Sequence, residues 1–313
     1  MSTRDLVVDS DITTLNDDAF ALYYLVALGR VPAVVTTVFG NTSARLSAEA
    51  ARALFVDTSV TVEVHAGSEH PLEWSSSTQQ KLRQLLKALP DGTYLGTMSA
   101  DDSDFWRPAT GESTEALELA TFLDQSPACD ILALGPTRNI AGVVRQLRPE
   151  TLRRHRLFIS GGALQEGNVT QTAEFNAFAD PDSLQVCLSA SWDQLTIVPL
   201  EVTGLPRLRV AEASRIREAR TPFGRALDDL ERRSPRDSLT REPVWDVIAA
   251  MILANELPVQ AHQATVRVRS DGWWRGTTEI SSVPGPHRVV TAVDPVMAIQ
   301  RFEATVGAPA QPL

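Results

Sequence analysis

Short apolar runs alternate with helical patterns along the first 200 residues, and this alternation most constrains the fold. Six runs have the character of buried strands: Leu6–Val8, Ala33–Val38, Val60–Val64, Asp130–Leu134, Arg156–Ile159 and Leu195–Pro199. Five intervening segments have helical spacing: Asp17–Leu28, Ser43–Phe55, Ser113–Leu123, Thr137–Leu147 and Asp180–Ser189. The pattern predicts βαβ units, and therefore an open, mostly parallel α/β sheet with helices on both faces.

The rest of the chain has weaker signals. Pro206–Ser234 is charged and helical, and Val244–Ala254 is a nearly uncharged helix. Three short strands and a closing helix are predicted in the tail, at Ala264–Arg269, Gly276–Ser281, Arg288–Thr291 and Pro295–Val306. Trp74–Trp106, which includes four polar residues at 101–104, is predicted to be a long loop. Because no linker interrupts the pattern, we expect residues 1–313 to form a single domain.

Composition narrows the function. A formal net charge of −10 argues against a nucleic-acid or anionic-membrane partner and fits a neutral or cationic small molecule, or a metal. No apolar run approaches the roughly 18 residues that span a bilayer, and no signal peptide precedes the first strand. Cys129 and Cys187 are predicted to be buried free thiols in a reducing compartment. We therefore expect a cytoplasmic protein.

An acidic turn follows the first strand. Asp9 and Asp11 end that strand, and Asp17 and Asp18 open the next helix. Four carboxylates within ten residues repel one another, so a fold that gathers them favours a bound cation. Carboxylate oxygens without His or Cys indicate Ca²⁺ or Mg²⁺ rather than zinc.

Polar or glycine-rich loops follow other strands. Asn41 comes after one strand, Leu134-Gly135-Pro136 after a second and Ser160-Gly161-Gly162 after a third. Ligands of such sheets bind beyond the carboxyl ends of the strands. These loops and the acidic turn are therefore predicted to open onto one crevice.

Two further groups carry polar chemistry. Asp246, preceded by Trp245, is the only charge in an apolar helix, where it either complements the helix dipole or joins the acidic turn as a metal ligand. Asn168, Glu174 and Asn176 offer the donors and acceptors that hold a sugar, although such residues also fill ordinary turns. No Ser/His/Asp triad, phosphate loop or dinucleotide fingerprint is readable.

Together these motifs resemble the nucleoside hydrolase family. The acidic turn is similar to the family signature DxDPGxDDAxAL, with a turn two residues longer and without Pro-Gly. Val38–Asn41 matches VxGN, and Leu132–Ile140 matches the Gly-Pro-Leu-Thr-Asn-Ile loop. Ser160–Asn168 with Ala173–Asn176 matches the family's Gly-Gly, Gly-Asn and Ala-Glu-Phe-Asn block, which is the most specific match.

The resemblance implies a Ca²⁺-dependent N-ribohydrolase with the Rossmann-like nucleoside hydrolase fold. Ca²⁺ would be held by Asp11, Asp18, Asp246 and the backbone carbonyl of Leu134. Asp11 would also be the general base for the water that attacks the anomeric carbon of ribose. The sugar would be bound by Asp17, Asn41, Asn168, Glu174 and Asn176. The family forms homodimers and homotetramers, so the resemblance implies a homo-oligomer.

Trp245 stands where many members have His before this Asp. A His can protonate the leaving base, whereas an indole stacks on it, as in purine-preferring members. The resemblance thus implies a purine-preferring enzyme, with Trp74 as a candidate second wall around the base. The family's usual His-Gly segment in this region is missing.

Three alternatives remain open. Asp9–Thr13 also reads as the DxDxT nucleophile motif of haloacid-dehalogenase-type phosphohydrolases. The longer acidic turn and the missing His-Gly segment are compatible with a non-catalytic nucleoside-binding protein on the same fold. The same chemistry could also act on pyrimidine or modified nucleosides.

Overall fold

The computed structural model describes residues 4–98, 105–106, 114–233 and 244–308. The strands in these ranges are β1 (Asp5–Ser10), β2 (Val34–Thr37), β3 (Glu63–Ala66), β4 (Cys129–Ala133), β5 (Arg156–Ser160), β6 (Gln194–Val198), β7 (Val259–Ala264), β8 (Val266–Val268), β9 (Thr278–Ile280) and β10 (His287–Val293). The helices are α1 (Asp17–Ala27), α2 (Ala44–Thr58), α3 (Ser76–Leu86), α4 (Thr114–Gln125), α5 (Arg138–Gln146), α6 (Pro149–Leu152), α7 (Phe175–Ala179), α8 (Pro181–Ser189), α9 (Leu200–Thr203), α10 (Val210–Glu218), α11 (Pro222–Arg233), α12 (Trp245–Leu253) and α13 (Pro295–Val306).

Eight strands form one sheet in the order β3-β2-β1-β4-β5-β6-β10-β7. All neighbours pair in parallel except β10 and β7. Strand order reverses between β1 and β4, because β1 pairs with β2 on one side and with β4 on the other. The prediction of an open, mostly parallel α/β sheet is confirmed, and this reversal is where such sheets bind ligands.

Two apolar layers cover the sheet. One contains α1, α12 and α13, with Phe20, Tyr24 and Phe302 among its buried rings. The other packs Leu123 of α4, Ile140 of α5 and neighbouring side chains against β4 and β5. The central strands are buried on both faces, which is why they appear in the sequence as continuous apolar runs.

The Trp74–Trp106 region is more regular than predicted, so the long-loop prediction was wrong for part of it. Ser75 caps α3 by accepting a hydrogen bond from the Thr78 N–H, and Leu82 and Leu86 bury one face of this helix. The helical signal was weak because most positions of Ser76–Leu86 are polar. The acidic run at 101–104 lies outside the described residues.

The tail also differs in detail. The edge strand β7 was missed because its sequence, VQAHQA, is polar and exposed along most of its length. The strand predicted at Ala264–Arg269 is limited to β8, which pairs only with β9 in a separate two-stranded sheet. Within the described ranges, no helix is both long and apolar enough to cross a bilayer. Cys129 and Cys187 are buried free thiols, as predicted.

His155 gives the fold a measurable pH dependence. The Cys129 N–H donates to its Nδ1 at 3.0 Å, and burial lowers the pKa of the imidazole to about 4. An unfolded chain takes up this proton near pH 6.5, so between pH 6.5 and about 4 the unfolded state binds more protons. The contribution of His155 to the free energy of unfolding therefore falls as the pH falls through this range.

Glutamine at position 155 keeps an acceptor for the Cys129 N–H but does not titrate. His155→Gln should therefore reduce the loss of unfolding free energy at low pH. Since one pKa unit is worth 1.36 kcal/mol, we expect the wild type to lose at least about 1 kcal/mol more than the variant between pH 7 and pH 4.5. Urea unfolding at both pH values measures the difference, with His262→Gln on exposed β7 as the control. If the wild type and His155→Gln lose the same unfolding free energy between the two pH values, His155 is not the source of this pH dependence.

Candidate active site

A cavity of about 500 Å³ opens at the carboxyl ends of β1, β4 and β5, beside the reversal of strand order. Its lining includes most of the residues that the sequence singled out. These are Asp11, Asp17, Asp18, Asn41, Leu134, Asn168, Glu174, Asn176, Trp245 and Asp246. The single crevice predicted from the loops that follow the strands is therefore present.

Three of the acids, Asp17, Asp18 and Asp246, lie at the N-termini of two helices. Asn16 caps α1 by accepting the Ala19 N–H, which places Asp17 and Asp18 in the first helical turn. Asp246 lies in the first turn of α12, which packs against α1 in the core. Acids at these positions complement the positive ends of both helix dipoles. The dipoles offset only part of the repulsion among the carboxylates.

Asp17, Asp18 and Asp246 form a tight group. One carboxylate oxygen of each lies within 4.8 Å of the others, and Asp18 and Asp246 are almost fully buried. Burial and the neighbouring acids raise the pKa of Asp246 well above its usual range, and burial with the charge of Asp18 raises the pKa of Asp17 to about 7. Removing water from three carboxylates is costly without a cation, and oxygen-only donors suit a hard divalent ion.

Hydrogen bonds fix the orientation of Asp18. Its carboxylate accepts from the Ser10 hydroxyl at 2.6 Å and from the Asn16 side chain at 2.8 Å. The longer acidic turn without Pro-Gly thus supplies its own donor, Asn16, which holds the Asp18 carboxylate.

Asp11 lies beside the three-acid group and not within it. Its Oδ2 accepts the Asn41 N–H at 2.7 Å, and a Cβ on Gly40 would stand 2.0 Å from that oxygen. Only glycine therefore allows the chain after β2 to approach the carboxylate so closely. Burial and the charges of Asp18 and Asp17 raise the pKa of Asp11 well above its usual range.

Asp17 lies closer to the other acids than the sequence indicated. The resemblance assigned it to the sugar and Asp11 to the cation, whereas the tight group contains Asp17 instead of Asp11. Asp17 is half-buried and therefore the most accessible member of the group. The carbonyl of Leu134 accepts the Asn176 side-chain amide at 2.6 Å, and a carbonyl oxygen carries a second lone pair that a cation can use.

The polar residues after β5 are held tightly. The Glu174 carboxylate accepts the N–H groups of Gly162, Asn176 and Ala177 at 2.8 to 3.1 Å, and burial raises its pKa. The Asn176 amide also donates to Ser160 O at 3.1 Å. Glu174 therefore organises the loop as well as lining the cavity, and Asn168 reaches the cavity from an exposed position.

Asp9 does not line the cavity. Its Oδ1 accepts hydrogen bonds from Thr36 at 2.6 Å and Asn139 at 2.7 Å, and the residue is fully buried. A DxDxT phosphohydrolase needs this Asp as an accessible nucleophile. The arrangement instead makes Asp9 a structural link between β1, β2 and α5.

Trp245 is among the residues that line the cavity, whereas Trp74, the predicted second wall, is not. The Trp74 ring stacks on His70 with centroids 5.2 Å apart and on Trp106 at 5.6 Å. It packs against a separate apolar cluster that includes Leu82 of α3. The same cluster contains Val169 and Phe175, which do line the cavity, so Trp74 packs behind the cavity wall.

Sequence reasoning missed several cavity residues. Tyr94 donates its hydroxyl to Asn41 Oδ1 at 2.8 Å, and its ring lies 5.5 Å from that of Phe175. The lining also includes the apolar residues Leu15, Phe20, Val169 and Leu200, and the polar residue Thr203. Phe175 and Val169 adjoin recognised motifs and could have been inferred, whereas Tyr94 lies in the segment that was predicted to be an irregular loop.

Comparisons with known proteins agree with this geometry. A family model described as inosine-uridine preferring nucleoside hydrolase matches residues 6–300. The chain is 27% identical over 223 residues to Uncharacterized protein C17G8.02 of Schizosaccharomyces pombe, covering 69% of this chain and 64% of that protein. It is 28% identical over 282 residues to Pyrimidine-specific ribonucleoside hydrolase RihA of Shewanella woodyi, covering 86% of this chain and 85% of that protein.

The fold has a close counterpart among solved structures. An Inosine-Guanosine Nucleoside Hydrolase (IG-NH) superposes with a TM-score of 0.76, covering 97% of this chain and 98% of that chain. Sequence identity is 21%, so this likeness concerns the fold.

Proposed function

The chain belongs to the inosine-uridine preferring nucleoside hydrolase family, and we propose that it hydrolyses the N-glycosidic bond of ribonucleosides, with Ca²⁺ as cofactor and a preference for purines. The products would be the free base and ribose. The observation that carries the proposal is the three-acid group beside Asp11, at the floor of a cavity with both polar and apolar walls.

The residues present fit a calcium ion. Asp11, Asp18, Asp246 and the Leu134 carbonyl would hold it, all through oxygen. When bound, such an ion lowers the pKa of water and orients it. Asp17, the more accessible acid, would bind the sugar.

Asp11 would act as the general base. The Asn41 N–H fixes the orientation of its carboxylate, and the surrounding acids make the group more basic than an ordinary aspartate. Both effects favour proton acceptance from an attacking water at a defined position. Asn41 in turn is oriented by the Tyr94 hydroxyl.

The polar wall would bind ribose. Asn41, Asn168, Glu174 and Asn176 line the cavity with Asp17 and offer donors and acceptors for its hydroxyls. Their hydrogen bonds would strengthen as the sugar becomes oxocarbenium-like, and this differential binding would lower the barrier.

Trp245 supports the purine preference. It is half-buried, begins α12 directly before Asp246, and lines the cavity together with the apolar residues Phe20 and Leu200. An indole cannot protonate the leaving base at neutral pH, but it can stack on the larger purine ring. The similarity to RihA, whose name gives pyrimidine specificity, favours the alternative of pyrimidine hydrolysis.

Steady-state kinetics distinguish a preference for purine nucleosides from a preference for pyrimidine nucleosides. We expect kcat/KM for inosine or guanosine to exceed that for uridine about tenfold, since an aromatic stack is worth up to about 1.5 kcal/mol. Trp245→Ala should lower kcat for inosine more than it raises KM, and Trp245→Phe should recover part of the loss. Equal rates for the two base classes, or faster uridine cleavage, would contradict the purine preference but leave ribonucleoside hydrolysis standing.

A further inference from the structure

The loop at residues 161–168, which carries Asn168 to the cavity, is tethered along its whole backbone. Every N–H from Gly161 to Gly167 donates a hydrogen bond to a residue outside the loop. The acceptors are Val198 O for Gly161, Glu174 for Gly162, Thr278 for Ala163, Glu201 for Leu164, Gln165 and Glu166, and Gln171 O for Gly167. Three consecutive donors therefore depend on one carboxylate.

Glu201 is that carboxylate, 33 residues beyond Asn168 in the chain. Its Oε1 accepts the N–H groups of Leu164, Gln165 and Glu166 at 2.9, 2.6 and 3.0 Å, and its Oε2 accepts Leu164 at 2.8 Å. Successive N–H groups that converge in this way form an anion-binding concavity, and here the protein fills it with its own side chain. Hydrogen bonds to an ionised acceptor are stronger than neutral ones.

Apolar packing holds this part of the loop through one side chain, that of Leu164, which packs against the apolar layer of Leu123 and Ile140. The side chains of Gln165 and Glu166 are exposed, and that of Leu164 is half-buried. Without the carboxylate, three adjacent N–H groups exchange a charged acceptor for water, and the loop loses its link to α9. Asn168, two residues after Glu166, is also exposed, and its neighbours Gly167 and Val169 donate their N–H groups to Gln171 O and Ala173 O. Its place at the cavity is therefore set by the backbone of the loop, on which the Glu201 carboxylate acts from the preceding three residues.

Glu201 also connects two walls of the cavity. It lies in α9 between Leu200 and Thr203, which both line the cavity. Gly204, just after α9, is so close to the indole of Trp245 that a Cβ there would stand 3.0 Å from Nε1. The carboxylate therefore links the loop of Asn168 to the wall that carries Trp245.

We propose that Glu201 is a positioning residue that holds Asn168 against the bound nucleoside. This inference rests on the proposed function. If the tethered loop is the binding-competent state, losing the tether lowers the populated fraction of that state and weakens the apparent affinity in proportion.

A double-mutant cycle tests the proposal with the best ribonucleoside substrate. Glu201→Ala should lower kcat/KM at least about tenfold, consistent with the loss of hydrogen bonds to a charged acceptor. In an Asn168→Ala background the same change should cost less than about twofold, because the group that Glu201 positions is already gone. Hydrogen exchange at the amides of Leu164–Glu166 should accelerate in Glu201→Ala.

Two further variants keep the test decisive. Glu201→Gln retains one acceptor oxygen and should recover part of the activity, and it replaces Glu201→Ala if that variant does not fold. Glu150→Gln, at an exposed position of α6, removes the same charge elsewhere and should leave kcat/KM unchanged. Equal losses in both backgrounds, or faster amide exchange without loss of kcat/KM, would overturn the positioning role.

Failure of the proposed function is recognised separately. A wild type that hydrolyses no ribonucleoside refutes that function by itself, and the cycle is then measured on the dissociation constant of inosine. Coupling between Glu201 and Asn168 in that constant would still support the positioning role. Additivity, or the absence of inosine binding, would overturn it.

Discussion

Asp11→Asn should lower kcat for ribonucleoside hydrolysis about 10³-fold, since general-base catalysis contributes 10²- to 10⁴-fold. Asparagine has nearly the same shape, and its side-chain oxygen can still accept the Asn41 N–H that now reaches Asp11 Oδ2. The variant therefore removes the proton acceptor without disturbing the chain around Gly40. Measurement of kcat and KM for inosine at saturating Ca²⁺ gives the result.

Stability distinguishes this loss from misfolding. Without added cation, Asp11→Asn should melt at the same temperature as the wild type or higher, because it removes one of several buried acids that raise one another's pKa. Asp5→Asn, at the exposed start of β1, is the control and should change neither property. A variant with at least a tenth of wild-type kcat would refute Asp11 as the base.

The central fold was readable from the sequence because its strands are buried on both faces. Val7, Val35 and Ile131 lie in runs that parallel packing makes apolar throughout, and such runs stand out between amphipathic helices. The polar edge strand β7 and helix α3 have no such signal. Their structure depends on pairing with β10 and on packing against Phe39, contacts that local sequence does not encode.

The residues of the site also fall into those that the sequence predicts and those that it does not. Ser160 ends the buried strand β5, and Asp11 and Asn41 follow β1 and β2, so strand order brings all three to one crevice. Tyr94 reaches the site through one long-range hydrogen bond, to Asn41, and Glu201 acts through the three successive N–H groups of Leu164, Gln165 and Glu166. A residue of this kind is ordinary in its local sequence, and only the folded chain shows what it touches.

Trp74 shows the limit of reasoning from residue type. An aromatic residue in an irregular region was a reasonable second wall for a base, yet its ring stacks on His70 and Trp106. Residue type predicts that a tryptophan ring packs against other side chains, whereas the fold determines which side chains these are. The cavity instead acquires Tyr94 and Phe175 from neighbouring segments.

The second large expected effect is stabilisation by the cation. The wild type should melt about 5 °C or more higher in excess Ca²⁺ than in EDTA at pH 7.5. A ligand at 100 times its dissociation constant stabilises the folded state by about 2.7 kcal/mol, and 1 kcal/mol shifts the melting temperature of a chain somewhat shorter than this one by about 2–4 °C. The physical reason is the crowding of acids around the proposed ligands Asp18 and Asp246, whose oxygens lie within 4.8 Å of each other and of an oxygen of Asp17.

Variants of this group should separate the effect of the ion from the effect of charge. Asp246→Asn should raise the melting temperature in EDTA, because it relieves repulsion, and should abolish most of the Ca²⁺-dependent shift, because it removes a ligand. Asp91→Asn, at an exposed position outside the cavity, should keep the full shift.

Differential scanning fluorimetry with Ca²⁺, Mg²⁺ and EDTA measures the wild type and both variants. An equal Ca²⁺ shift in the wild type and Asp246→Asn would refute the assigned site, and a larger shift with Mg²⁺ than with Ca²⁺ would refute the choice of ion, because the site's oxygens would then prefer the smaller, octahedral cation.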